Sequence, residues 1–246
     1  MTLDRQDAKP LHQQLEDIIR RKLEFEEWPP NSMIPSENEL SKEYGISRMT
    51  VRAVLNRIVS AGLLRRVPGK GTFVSSAKIE SFPLTQMGIR EQLERMGYET
   101  TTRLISLIKI HAPVKIQKRL RLADAAEVYE IARLRYVKDE PLSIHTSFIP
   151  LSICPGIDAK LLEEMQLCDI LENIYGHPII RRVETLESVI ATLNERELLG
   201  LKAPYPLLML ENEVFTSGDT PMEYTKVVFR GDKIKLRIEY DKSHHA

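Results

Sequence analysis

Arg48 and Arg52 stand four residues apart in Ser47-Arg-Met-Thr-Val-Arg52. On a helix that spacing puts both guanidiniums on one face. A guanidinium is a planar fork of donors that suits guanine edges and phosphate oxygens. Met49 and Asn56 border this face, and Val51, Val54, Leu55 and Ile58 lie away from it. A second pair, Arg133 and Arg135, alternates in Ile131-Ala-Arg-Leu-Arg135, so in a strand both point to the side shared with Ile131. Two cations on a partly buried strand face need anions, supplied either by acidic side chains of the chain itself or by a ligand. Ser143, His145 and Ser147 alternate in the next run. They join the arginines in one cleft if the hairpin pairs Arg135 with Ser143. A strict two-residue turn at Asp139-Glu140 would instead pair Arg135 with Ile144. We favour the Ser143 register, which needs a three-residue loop or a bulge. His145 is either a satisfied core histidine or a donor that strengthens anion binding below about pH 6.5.

These side chains need elements to hold them. Ser47 is a good N-cap for a helix from Arg48 to about Ala61, stopped by Gly62. Ser36-Glu-Asn-Glu39 forms a capping box for a shorter helix that carries Leu40 and Tyr44 inward and closes at Gly45. Before it, Leu11–Leu23 has one apolar stripe. Leu63–Val67 and Thr72–Val74 read as strands around Pro68-Gly-Lys-Gly71. Residues 33–74 are thus expected to form a helix-turn-helix followed by a basic hairpin, or wing, with Lys70 at its tip. Tyr44 to Ser76 holds six basic residues and no acidic one, although the chain's Lys+Arg and Asp+Glu are both 35. A basic patch on this motif is the footprint of a duplex-DNA reader. The hydroxyls of Ser36, Ser47 and Thr50 at helix starts suit phosphate.

Residues 75–82 lack a strong periodic pattern and read as a linker. Beyond it lie a short amphipathic helix at Gly88–Met96 and β-rich runs near 102–110, 127–137, 141–149, 180–191, 206–216, 221–230 and 234–240. Helical segments near 113–120, 159–175 and 194–200 interrupt them. The expected fold class is α+β: a winged helix-turn-helix at 1–75, a linker at 76–82, and an antiparallel-sheet α+β domain at 83–246. With 42% hydrophobic residues there is material for a substantial core. We find no apolar run of membrane-span length and no charged-then-apolar leader, so the expectation is a cytoplasmic protein. Cys154 and Cys168 show no zinc spacing. With no P-loop, no paired metal ligands and no nucleophile turn, neither cofactor nor metal is expected, and catalysis is the minor alternative.

Three motifs then converge. Ile34-Pro-Ser-Glu-Asn-Glu-Leu40, Ser47-Arg-Met-Thr-Val-Arg52 and Pro68-Gly-Lys-Gly-Thr-Phe-Val74 resemble, in content and mutual spacing, the signature of the GntR family of bacterial repressors. The resemblance puts DNA contacts on Ser36, Asn38, Ser47, Arg48, Thr50, Arg52, Gly69 and Lys70; Asn38 stands where many relatives carry Arg. The remainder is similar to the UTRA effector domain of the HutC subfamily, chorismate-lyase-like in fold. The likeness rests on Pro83-Leu84, Gly88-Ile-Arg-Glu91, Ala132-Arg133-Leu-Arg135-Tyr136 with Glu140-Pro141, Leu171-Glu172, Tyr175-Gly176, Pro221-Met-Glu223-Tyr224 and Phe229-Arg-Gly-Asp232. It implies an effector site at Gly88, Ile89, Arg90, Arg133, Arg135, Ser143, His145, Gln166, Cys168, Glu223 and Phe229. Arg90 stands where sugar-phosphate-sensing members tend to have Ser or Thr, His145 replaces their Glu, Phe229 a Tyr, and Gln166-Leu-Cys168 a Ser-Leu-Tyr pattern. These exchanges make the expected pocket more cationic. The implied function is a ligand-controlled repressor that binds a palindromic operator as a homodimer and answers to a small anion, a sugar phosphate or acid. The alternatives are an enzyme built on the lyase-like domain and a regulator answering to a protein partner.

Overall fold

The computed structural model describes residues 2–81, 88–202 and 204–238. The chain divides into two compact units, Met1–Lys78 and Ile79–Ala246.

In the first unit α1 (Leu11–Glu24), α2 (Glu37–Tyr44) and α3 (Arg48–Ser60) precede a hairpin of β1 (Leu64–Val67) and β2 (Gly71–Val74). Local chemistry sets each boundary. The Ser36 side chain accepts from Glu39 N while the Glu39 carboxylate accepts from Ser36 N, so the capping box forms as read. Gly45 ends α2 in the left-handed region at φ 62°, where a side chain would be strained. Leu15, Ile18 and Ile19 of α1 pack with Leu40, Tyr44, Val51, Val54, Leu55 and Ile58 in one core. Burying about nine such side chains, at roughly 1.5–3 kcal/mol each, is what holds three short helices together.

The second unit is built on a six-stranded antiparallel sheet. Its members are β4 (Thr100–His111), β5 (Glu127–Val137), β6 (Glu140–Pro150), β7 (Arg181–Ile190), β8 (Pro206–Thr216) and β9 (Thr220–Arg230). Their spatial order is β4-β5-β6-β9-β8-β7. Helices α4 (Ile89–Arg95), α5 (Val114–Leu120), α6 (Ala159–Glu164), α7 (Leu167–Asp169) and α8 (Leu193–Leu199) connect or cover the strands. The strand readings stand within two residues at each end from β4 through β9. Two expectations need correction. Ile79–Ser81 of the expected linker is strand β3, and it pairs in parallel with β10 (Ile234–Leu236), which therefore stays outside the main sheet. Ile79 and Ser81 are buried there, so the segment is anchored rather than free. The helix expected over 159–175 is interrupted: Met165 and Gln166 are extended, and α7 restarts after Gln166 and runs into a π-helical turn, Ile170–Ile174. Residues 82–87, with Pro83-Leu84 and the expected linker's Phe82, lie outside the described residues.

The β5–β6 hairpin decides the site. Lys138 and Asp139, not Asp139 and Glu140, form its turn, both with left-handed φ of 49° and 62°. Val137 pairs with Glu140 and Tyr136 with Pro141, but Arg135 pairs with Ser143. Leu142 is the extra residue of a bulge, and it reverses which side chains of β6 face the arginines.

Candidate functional site

Two groups of side chains stand out, one in each unit. In the first, α3 presents Arg48, Met49, Arg52 and Asn56 to solvent while its other face is sealed in the core. Ser36, Asn38, Ser47, Arg48, Arg52, Gly69 and Lys70 are all exposed and Thr50 is half-buried. Ser47 Oγ caps α3 by accepting from Thr50 N at 3.1 Å, and it lies 2.8 Å from Thr50 Oγ1. Gly69, at φ 72°, makes the turn that lifts Lys70 clear of the hairpin. Two charged residues not singled out by sequence reading adjoin this face. Glu37 Oε1 accepts from Arg66 Nη2 at 3.0 Å, and Glu37 Oε2 accepts from Arg48 Nε at 3.4 Å.

In the second unit a cavity of about 520 Å³, its open mouth included, lies over one face of the sheet. The pleat brings Arg133 and Arg135 of β5, His145 of β6, Glu223, Thr225 and Val227 of β9, Asn212 and Val214 of β8, and Arg182 of β7 to its wall. Gly88 and Ile89, at the start of α4, and Gln166, Leu167 and Cys168, where the expected helix breaks, complete it. Gly88 has a packing reason to be glycine: a Cβ there would lie 2.2 Å from Gln166 Oε1.

Burial controls the electrostatics. Arg133 and Arg135 are only 5% and 4% exposed. Among the described residues, Arg133 Nε and Arg135 Nε and Nη1 find no hydrogen-bond partner. Burial holds the Arg133 guanidinium below its ordinary range, against the pull of Glu223 and Cys168. Burial, then Arg133 and then Arg90 push Arg135 down to about 9. Arg135 therefore remains charged at neutral pH, and a guanidinium such as that of Arg133 does not give up its proton in proteins. His145 is held well below its usual 6.5, first by burial and then by Arg135 and Arg133. It is therefore a neutral imidazole, joined to Ser143 Oγ at 2.9 Å through Nε2. The expected gain of anion binding below about pH 6.5 is overturned, because a cation cannot form cheaply beside two buried cations. Burial, with Asp169 adding to it, pushes the Cys168 thiol up to about 11, so it is no thiolate. Glu223 accepts from the Thr225 hydroxyl, and Thr225 Oγ1 lies 2.9 Å from Ser147 Oγ.

Three residues expected at the effector site do not line the cavity. Arg90 is turned outward: its Nε donates to Glu94 at 2.7 Å and its Nη1 to the Glu164 carbonyl at 2.8 Å. It acts on the cavity only through its charge. Ser143 and Phe229 lie behind His145, the first as its hydrogen-bond partner and the second edge-on, 6.1 Å between centroids. Sequence reading missed Arg182, Asn212 and Thr225. Thr225 follows from Glu223 by the two-residue period of a strand. Asn212 and Arg182 could be found only through the β7–β8–β9 register, which pairs Asn212 with Thr225 and Val214 with both Arg182 and Glu223. Among the described residues no group of three His, Cys, Asp or Glu is placed to hold a metal. No described helix is long and apolar enough to cross a membrane.

Comparison with known proteins gives the same division. Residues 11–74 match the model for bacterial regulatory proteins, gntR family, and residues 95–235 match that for the UTRA domain. The chain is 30% identical over 233 residues to the HTH-type transcriptional repressor NagR of Bacillus subtilis, covering 95% of this chain and 96% of that one. It is 24% identical over 233 residues to the histidine utilization repressor of Pseudomonas putida, covering 95% and 93%. The crystal structure of PhnF from Mycobacterium smegmatis superposes with a TM-score of 0.63 at 21% identity, over 93% of this chain and 99% of that one.

Proposed function

Because the chain belongs to the GntR family, HutC subfamily, with a gntR-type head and a UTRA domain, and is thus a ligand-responsive DNA-binding transcription regulator, we propose a specific division of labour among its residues. Arg48 and Arg52 read base edges in the major groove. Ser36, Asn38, Ser47 and Thr50 meet the backbone, and Gly69 and Lys70 bring the wing against the duplex. The protein acts in the cytoplasm as a homodimer on a palindromic operator, since one winged helix reads only a few base pairs. In support, β7 is an outer strand of the sheet, and Leu186 and Ile190 on it are exposed.

The effector is a small anion held by Arg133 and Arg135. The observation that carries this is the set of buried guanidinium N–H groups without an acceptor. Such donors cost free energy until an acceptor arrives, and a carboxylate or phosphate returns most by binding in a fork. Neutral His145, Asn212, Glu223 and Thr225 recognise the ligand's uncharged polar groups. Turnover is not part of this reading. Among the described residues no carboxylate is hydrogen-bonded to the Ser143–His145 pair as an orienter, and its histidine faces two cations, the reverse of what a general base needs. Calorimetry and thermal shift with phosphorylated sugars, sugar acids, small carboxylates and neutral sugars test the proposal. Anions should bind, and Arg133→Ala and Arg135→Ala should each abolish the response with DNA binding intact. A tight neutral ligand, or two responsive mutants, would make the arginines structural.

A further inference from the structure

Glu37 opens α2 directly after the Ser36 cap, and its side chain is 19% exposed. Three guanidiniums converge on it from two other elements. Arg48 Nε lies 3.4 Å from Oε2, Arg52 Nε lies 3.9 Å from Oε1, and Arg66 Nη2 of β1 lies 3.0 Å from Oε1. The two α3 arginines are approached through Nε. Among the described residues their Nη1 and Nη2 groups make no hydrogen bond, and both side chains are more than half exposed, so the ends of both forks are left for another partner. A long flexible arginine loses rotamer freedom whenever it makes a paired contact. One held from behind has already lost part of it. Three like charges side by side would also splay apart without a counter-charge.

We propose that Glu37 is a positioning residue for base reading: its carboxylate holds Arg48 and Arg52 from the Nε side with their forks aimed outward, and it ties the wing strand to the recognition helix through Arg66. Glu37 touches no base. As an anion near the DNA surface it weakens phosphate attraction, so it trades indiscriminate affinity for selectivity. The inference rests on α3 being the reading helix.

The test uses the full chain and two duplexes. One is a sequence selected from a random pool by the wild-type protein, the other a scrambled duplex of equal length and composition. Fluorescence anisotropy at matched salt gives the two dissociation constants and their ratio for wild type, Glu37→Gln, Glu37→Asp and Arg52→Ala. Glu37→Gln keeps size and removes charge. It should tighten scrambled-duplex binding about two- to fivefold and lower the ratio about tenfold or more. Glu37→Asp keeps the charge but withdraws it by one methylene. It should lower the ratio while scrambled-duplex affinity stays at the wild-type value. The proposal is overturned if both affinities of Glu37→Gln move together, if neither moves, or if Glu37→Asp keeps the wild-type ratio. In the last case charge alone matters. If Arg52→Ala also keeps the ratio, α3 is not the reader and the underlying assignment fails. If Arg52→Ala loses the ratio and the Glu37 variants keep it, only the role of Glu37 fails.

Discussion

Replacing Arg135 by methionine should stabilise the ligand-free protein. Arg135 is 4% exposed, and two of its buried N–H groups lack an acceptor. Its pKa is lowered from the ordinary arginine range to about 9, by burial first and then by Arg133 and Arg90. At about 1.36 kcal/mol per pH unit, that displacement corresponds to a folded-state cost on the order of 5 kcal/mol. Buried ions replaced by apolar side chains of similar volume return about 1–4 kcal/mol after relaxation. For a unit the size of Ile79–Ala246, about 2 kcal/mol raises the midpoint by roughly 4–8 °C. The sign with pH follows. A base with a depressed folded-state pKa destabilises fully below that value, and the cost fades only as pH rises from about 9 toward the ordinary arginine range. The difference between variant and wild type should thus be flat from about pH 6 to 8. Scanning calorimetry in an uncharged-buffer series, then with added phosphate, measures it. Wild type should gain midpoint with phosphate and Arg135→Met should not. A variant that melts below wild type would refute the reasoning, because Arg135 would then be a net stabilising structural residue.

Other outcomes follow from the same arrangement. Arg52→Ala should cost about 1–3 kcal/mol on the selected site and flatten preference at single base pairs, read by anisotropy across a panel of point-substituted duplexes. Lys70→Ala should weaken all sequences alike and reduce the slope of log K against log salt by about 1. His145 is neutral in the fold because its pKa is depressed; the unfolded chain alone takes up that proton, so stability should fall as pH drops below about 6.5, by up to about 1.4 kcal/mol per unit, and His145→Gln should remove this component. Residues 79–246 alone should sediment as a dimer at tens of micromolar; a monomer there would remove the homodimer assignment.

The head was legible because its signals are local. Ser36 with Glu39, Gly45, Ser47 and the Gly69–Gly71 turn each act within four residues, and the structure realises each cap and turn. The cavity was half legible. Strand period put Arg133 and Arg135 on one face, and the bulge that aligns Ser143 with Arg135 was anticipated without its position at Leu142. What failed depends on distant partners. Arg90 is held by Glu94, one helical turn on, and also by the Glu164 carbonyl, and only the first of these could be read nearby in sequence. Nothing near His145 reveals that burial beside two cations keeps it neutral. Asn212 and Arg182 needed a register set by three strands at once. The β3–β10 pairing joins segments more than 150 residues apart, and a three-residue strand carries almost no periodic signal of its own.

The same residue type is used in two opposite ways, and on the proposed reading that difference explains why the cavity, and not α3, answers to a small molecule. On α3 the arginines are more than half exposed and share the Glu37 carboxylate, so water and a neighbour already satisfy them. On the proposed reading DNA would add contacts there without relieving any penalty. In the cavity Arg133 and Arg135 are desolvated, and among the described residues Arg133 Nε and Arg135 Nε and Nη1 have no acceptor, a cost that a bound anion would remove. A ligand shifts an equilibrium only by its differential affinity for the two states. Where arginines are desolvated in this way every anion gains from relief of that cost, so selectivity among anions must come from the other polar groups around the cavity. His145, Asn212 and Glu223 are therefore the positions where substitution should change which anion is accepted while leaving the need for an anion intact. Asn212→Asp is the opposite case, because it supplies the anion from the chain itself. A second carboxylate beside Glu223 would pair internally with the arginines, remove the strain of the empty state, and leave a protein that is more stable but no longer stabilised by phosphate. A thermal shift for Asn212→Asp as large as that of wild type would show that the charge balance of the cavity does not govern its response.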